Sequence, residues 1–174
     1  TFAPCAPGDR VQLAEMMESV EDIPAAAILD GLPWDWETYG EYLDSYERLP
    51  KGLNVAGMVG HCSVRVAAMG DRAIDQHHAS AEDIVAMCKI VEESLLGGAI
   101  GFSTSRTYLH QTPDGREVPG TWAAPEELLA IGEVMGRLGR GVFECAVDND
   151  RQLHGMVGTP DRTVIEREVA WMKE

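Results

Sequence analysis

Three places in the chain hold side chains able to do chemistry, and each lies at or in an apolar run that reads as a strand. His61 follows Met58-Val59-Gly60 directly. Gly60 lets the backbone come close to a neighbour. An imidazole there is expected to point into the mouth at the strands' carboxyl ends. The competing reading is a core histidine bonded to a carbonyl.

The second place is Ser103 to Ala124. Roughly twenty residues between a strand and a helix far exceed the usual connection, and such loops are usually functional or disordered. Ser103, Thr104, Ser105, Arg106, Tyr108 and His110 open it. Two turn signals follow, Pro113-Asp114-Gly115 and Pro119-Gly120. Arg106, with Tyr108 and Ser105 beside it, offers a two-point fork and hydroxyl donors for a substrate carboxylate. Otherwise the segment is a self-ordered lid with Arg106 facing solvent.

The third place is Glu144-Cys145, with Asp148 nearby. Within an apolar strand an unpaired carboxylate is costly, so Glu144 needs a cation, an amide or a metal as partner. Alternation sets Phe143 and Cys145 on one face and Glu144 on the other. His77-His78 and His154 read as solvated. No phosphate-cradling glycine loop follows a strand, and no Gly-x-Ser-x-Gly elbow occurs.

The elements that must position these groups alternate from about residue 53 onward. Strands are expected near 53–60, 99–104 and 141–147. Ser80 with Asp83 caps a helix carrying Ile84, Met87, Cys88, Val91 and Leu95, stopped by Gly97-Gly98. Pro125, with Glu126 and Glu127 in the first turn, opens another, closed by Gly139. A last helix carries Val164, Ile165, Val169 and Trp171. This rhythm predicts parallel strands in adjacent order with helical crossovers. Before residue 50, Val11, Leu13, Met16, Met17 and Val20 read as one helix, and Trp36, Tyr39, Tyr42, Leu43 and Tyr46 as an apolar stripe. The expected division is a helical segment over 1–50 and three β/α units over 51–174. A doubly wound sheet and part of a barrel both fit, since a full barrel needs about 250 residues.

The chain has 174 residues, 45% of them hydrophobic and 25% charged, which suits one globular domain. Its 29 acidic and 14 basic side chains leave a net charge of −15. That charge repels phosphate backbones and anionic lipid, so neither nucleic acid nor membrane is an expected partner. Four scattered cysteines (Cys5, Cys62, Cys88 and Cys145) form no disulfide or zinc-knuckle pattern and read as reduced thiols of a cytoplasmic protein.

Several stretches together resemble the N-acyl-D-amino-acid deacylase (D-aminoacylase) branch of the amidohydrolase superfamily. They are Phe2-Ala3-Pro4-Cys5, Met17 to Pro24, Leu32-Pro33-Trp34-Asp35-Trp36-Glu37, Gly60-His61-Cys62-Ser63-Val64-Arg65, and Gly98 to Ser105. The resemblance implies an α/β fold, a partial (β/α)8 barrel of TIM type with this chain spanning strands three to five. It also implies zinc-assisted hydrolysis of the amide bond of an N-acyl amino acid. Most ligands and the catalytic aspartate would then lie outside the chain, which opens at Thr1 and is expected to be an internal piece, inactive by itself and prone to self-associate. No catalytic residue is expected within it. At the family's strand-five histidine this chain has Glu144-Cys145, and either can ligate zinc. Two other readings stay open: an inactive binding module, and a free-standing small α/β domain.

Overall fold

The computed structural model describes residues 1–75, 78–107, 109–147 and 162–173. Three strands, β1 (Val59–Gly60), β2 (Gly101–Arg106) and β3 (Val142–Val147), form one sheet in the order β1-β2-β3. Both pairings are parallel, with Val59 opposite Phe102 and the whole of β2 opposite β3, Gly101 to Val142 through Arg106 to Val147. Parallel neighbours need crossover helices, and the chain supplies them. They are α4 (His61–Met69), α5 (Arg72–Asp75) and α6 (Ala81–Leu96) between β1 and β2, and α7 (Pro125–Leu138) between β2 and β3. Helix α8 (Arg162–Trp171) follows β3. The chain is a mixed α/β fold, as the alternating pattern predicts.

Local signals place the helix ends. The Ser80 hydroxyl accepts from the Asp83 amide at 3.2 Å, and the Asp83 carboxylate accepts from the Ser80 amide at 3.0 Å, a complete capping box. Pro125 starts α7, and Gly139 ends it in the left-handed conformation at φ 63°. The buried stripes of the two helices, Met87, Val91 and Leu95 against Leu128, Ile131 and Met135, close the core over Phe102. At the entry to β2, a Cβ on Gly101 would sit 2.2 Å from the Val142 carbonyl oxygen. Only glycine allows that approach.

The first fifty residues form α1 (Arg10–Glu21), α2 (Ala25–Gly31) and α3 (Tyr39–Glu47). Trp36 precedes α3, which starts after Thr38 with its own capping box to Glu41. Trp36 instead stacks on Trp34 at 5.4 Å and donates its indole N–H to the Phe2 carbonyl at 2.7 Å.

Two strand boundaries differ from expectation. The apolar run from Leu53 yields only Val59–Gly60 as strand, and Leu53 and Val55 stand 79% and 54% exposed. Its missing alternation predicts cover on both faces, and over 53–59 Val59 alone is fully buried. Strand β2 runs two residues further than expected, carrying Ser105 and Arg106 into the ladder because β3 extends beside them. Helix α4 begins at His61 without any side-chain cap, so no local signal announced it.

Candidate functional site

Alternation along β2 and β3 sorts the candidate residues on those strands onto two faces. Phe102, Thr104 and Arg106 are buried beneath the helices, while Ser103 and Ser105 are half-exposed on the opposite face. Phe143 packs against Phe102 at 5.2 Å and against Trp171 at 6.4 Å, which fixes β3 in the same sense. Its residues Glu144 and Ala146 therefore stand on the inner face beside Ser103 and Ser105, their partners in register. Together they line a cleft of about 340 Å³ at the carboxyl ends of the strands. Gly60, Cys62, His110 and Val118 join them, and α1 adds Met16, Met17, Val20 and Glu21. The carboxyl edge of parallel strands is where α/β folds place their chemistry.

Glu144 and Cys145 consequently point to opposite faces, and one metal ion cannot take both. Burial pushes the Cys145 thiol up to about 11, opposed by Arg106 and reinforced by Glu168 and Glu144. Of the two candidate ligands only Glu144 faces the cleft.

His61 takes the core role. Its ring is 1% exposed, with Nε2 2.7 Å from Glu127 Oε1 and Nδ1 2.8 Å from Thr104 Oγ1. A carboxylate only accepts, so Nε2–H donates to Glu127 and the Thr104 hydroxyl donates to Nδ1. Arg65, fully buried one turn along α4, reaches both Glu127 oxygens at 2.7 and 2.6 Å. Burial lowers the His61 pKa against the opposing pull of Glu127, so the ring is neutral. Burial would raise Glu127, but the His61 hydrogen bond and the Arg65 charge outweigh it and hold the carboxyl below its ordinary range. One unit thus ties α4, β2 and α7 together. His61 borders the cleft, but with both ring nitrogens engaged in the core it has none left for a substrate, contrary to expectation.

Arg106 is also placed elsewhere than expected. Its guanidinium pairs with Glu168 of α8, donates to the Ala123 carbonyl at 2.8 Å and lies 5.8 Å from the Trp171 ring. It sits at 9% exposure on the helix face of β2, away from the cleft, because register and alternation leave it no other side. Tyr108 lies outside the described residues, as do His77, Asp148 and His154.

The long connection after β2 is ordered by its turns. Gln111 and Glu117 bridge antiparallel, Thr112 N–H donates to the Arg116 carbonyl at 2.7 Å, and Gly115 and Gly120 take φ of 84° and 99°. A Cβ on Gly120 would fall 2.5 Å from His61 Nδ1, so the loop rests directly on the buried ring. His110, at the base of this hairpin, holds its Nδ1 2.6 Å from Ser105 Oγ.

Two residues named in the sequence carry roles that their local pattern does not assign. Glu127 reads as a first-turn carboxylate suited to the helix dipole, yet it is 1% exposed and carries the core network. His110 carries only the weak signal of an imidazole shortly after a small polar strand end. Among the described residues no three His, Cys, Asp or Glu side chains converge to hold a metal ion. A zinc site thus does not fit within this stretch alone. Among the described residues, too, no helix is long and apolar enough to cross a membrane.

No protein-family model matches the chain. It is 31% identical over 121 residues to a D-aminoacylase of Alcaligenes xylosoxydans xylosoxydans, covering 70% of this chain and 22% of the relative. A solved D-aminoacylase, described as defining a novel subset of amidohydrolases, superposes with a TM-score of 0.58 at 25% identity over 79% of this chain and 25% of that one. The chain is a homologue of the D-aminoacylases.

Its structural neighbours are accordingly amidohydrolase TIM-barrel enzymes. The N-acyl-D-glutamate deacylase of Bordetella bronchiseptica, solved with zinc and a phosphonate inhibitor, shares the fold at a TM-score of 0.59. It is 21% identical over 91% of this chain and 27% of its own. The chain spans a quarter or less of the length of the curated relatives it matches.

Proposed function

We propose that residues 51–174 form the sector of strands three to five of a metal-dependent amidohydrolase barrel, with residues 1–50 as the helical segment after strand two. The intact protein then hydrolyses the amide bond of an N-acyl amino acid. What supports the reading is the polar row on the inner face, Ser103, Ser105 and Glu144, at the carboxyl edge of strands that superpose on a D-aminoacylase. Leu53, Val55, Ile100 and Val142 are 48–79% exposed, as expected of a sector whose neighbours complete the barrel. The same surfaces would make the isolated stretch self-associate.

In this reading the Ser103 hydroxyl hydrogen-bonds a bound substrate, Ser105 acts through its hydrogen bond to His110, and Glu144 supplies the inner-face carboxylate of β3. Zinc belongs to the proposal through kinship, with its ligands drawn mainly from other strands of the parent. The test uses the full-length product of the gene, incubated with N-acetyl-D-amino acids with and without a chelator. Release of free amino acid, lost on chelation and restored by zinc, is expected. No release from any acylated amino acid by metal-loaded protein would sink the reading.

A further inference from the structure

Arg106 is engaged by Glu168, so the guanidinium that the sequence suggested for a substrate carboxylate does not line the cleft. Among the described residues lining it, the acidic side chains are Glu21 from α1 and Glu144 from β3, and there is no lysine or arginine. A substrate carboxylate entering that cleft needs a donor of its own. Two imidazoles line it. His61 has both nitrogens engaged in the core.

His110 is held differently. Its Nδ1 lies 2.6 Å from the hydroxyl of Ser105, an inner-face residue of β2, which donates to it in the tautomer that carries the hydrogen on Nε2. Val118 N–H donates to the His110 backbone carbonyl at 3.2 Å. The hairpin behind it is braced by Arg116, which pairs with Asp114 at 2.7 Å and with Asp75 beyond α4 at 2.8 Å. Ring and backbone are thus both fixed from the protein side, which leaves Nε2 as the second ring nitrogen. A hydrogen bond at one imidazole nitrogen sets the orientation and role of the other. Preorganised donors of this kind bind anionic groups well because little ordering remains to be done.

We propose that His110, oriented by Ser105, presents Nε2–H to the cleft and binds the carboxylate of the N-acyl amino acid. The identity of that ligand rests on the hydrolase reading above. His110 is then a residue for substrate recognition, and Ser105 its positioning residue.

The experiment uses full-length protein, the variants His110→Asn, His110→Gln and Ser105→Ala, and two probes, N-acetyl-D-leucine and its carboxamide. Asparagine can place its amide oxygen near the Nδ1 position to accept from Ser105 but has no donor at Nε2, whereas the glutamine amide N–H reaches the Nε2 position. His110→Asn should raise KM for the acid about tenfold or more, with kcat little changed and the carboxamide unaffected. His110→Gln should recover most of the loss, and Ser105→Ala should show a smaller change of the same kind. Equal effects on acid and carboxamide, an unchanged His110→Asn, or a glutamine variant worse than asparagine would overturn the proposal, since a mere loop anchor behaves that way. If wild-type protein releases no leucine from the acid, the hydrolase reading fails separately, and calorimetric binding of the same two probes decides on His110. Selective loss of acid binding in His110→Asn sustains it. Loss of both, loss of neither, or no binding of the acid to wild type overturns it.

Discussion

The guanidinium of Arg65 meets both carboxylate oxygens of Glu127 at 2.7 and 2.6 Å, with neither side chain more than 1% exposed. Removing one partner of such a pair leaves the other charge buried and uncompensated. Glu127→Gln should therefore destabilise the protein by about 3–5 kcal/mol, while the double change Arg65→Met with Glu127→Met recovers much of it. Denaturant unfolding of the full-length protein measures both. A loss under about 1 kcal/mol would mean the pair is solvated.

The same network sets a pH dependence. His61 is held below its ordinary 6.5, first by burial, so under that pH the unfolded chain takes up a proton that the folded one refuses. Stability then falls as pH falls. Glu127 is held below its ordinary 4.5, so its contribution is present above 4.5 and lost as pH drops through the folded value. Both slopes run the same way, and neither group adds a slope above about pH 7.5. Thermal midpoints should decline from near pH 6.5 downward, and His61→Gln should flatten the upper part of that decline. A midpoint that rises on acidification to pH 5 would contradict the assignment of a neutral His61.

Arg106 should act on stability and leave recognition intact. Its partners are Glu168 and the Ala123 carbonyl, so Arg106→Met leaves Glu168 short of its main cation and should cost about 3 kcal/mol. Arg106→Met and Glu168→Gln should couple in a double-mutant cycle, with KM for the acylated substrate nearly unchanged in each. A tenfold rise in KM without loss of stability would return Arg106 to the substrate.

Glu144 and Cys145 are neighbours in sequence and separated by the sheet. Glu144→Gln removes a charge from the inner face and should lower kcat/KM about tenfold or more, whereas Cys145→Ser, on the helix side, should change it less than about threefold. Steady-state kinetics of the two variants checks this. The reverse order would place the thiol at the cleft.

The sequence alone determined what is local. The Ser80–Asp83 capping box, Pro125 at the start of α7, Gly139 at its end and the turns at Gly115 and Gly120 each depend on backbone a few residues away. Residue type announces them for that reason. The parallel order followed too, because apolar strands joined by helices leave few alternatives. Tertiary structure decided where the chemistry-bearing side chains go. His61 is claimed by Glu127 66 residues later, and Arg106 by Glu168 62 residues later. Both carboxylates sit on helices whose own sequence suits them equally well to solvent. Which histidine serves the core and which the cleft is fixed by partners distant in sequence, Glu127 and Thr104 for His61. Which face Ser105 and Arg106 take is fixed by strand register, where a one-residue slip would exchange the faces.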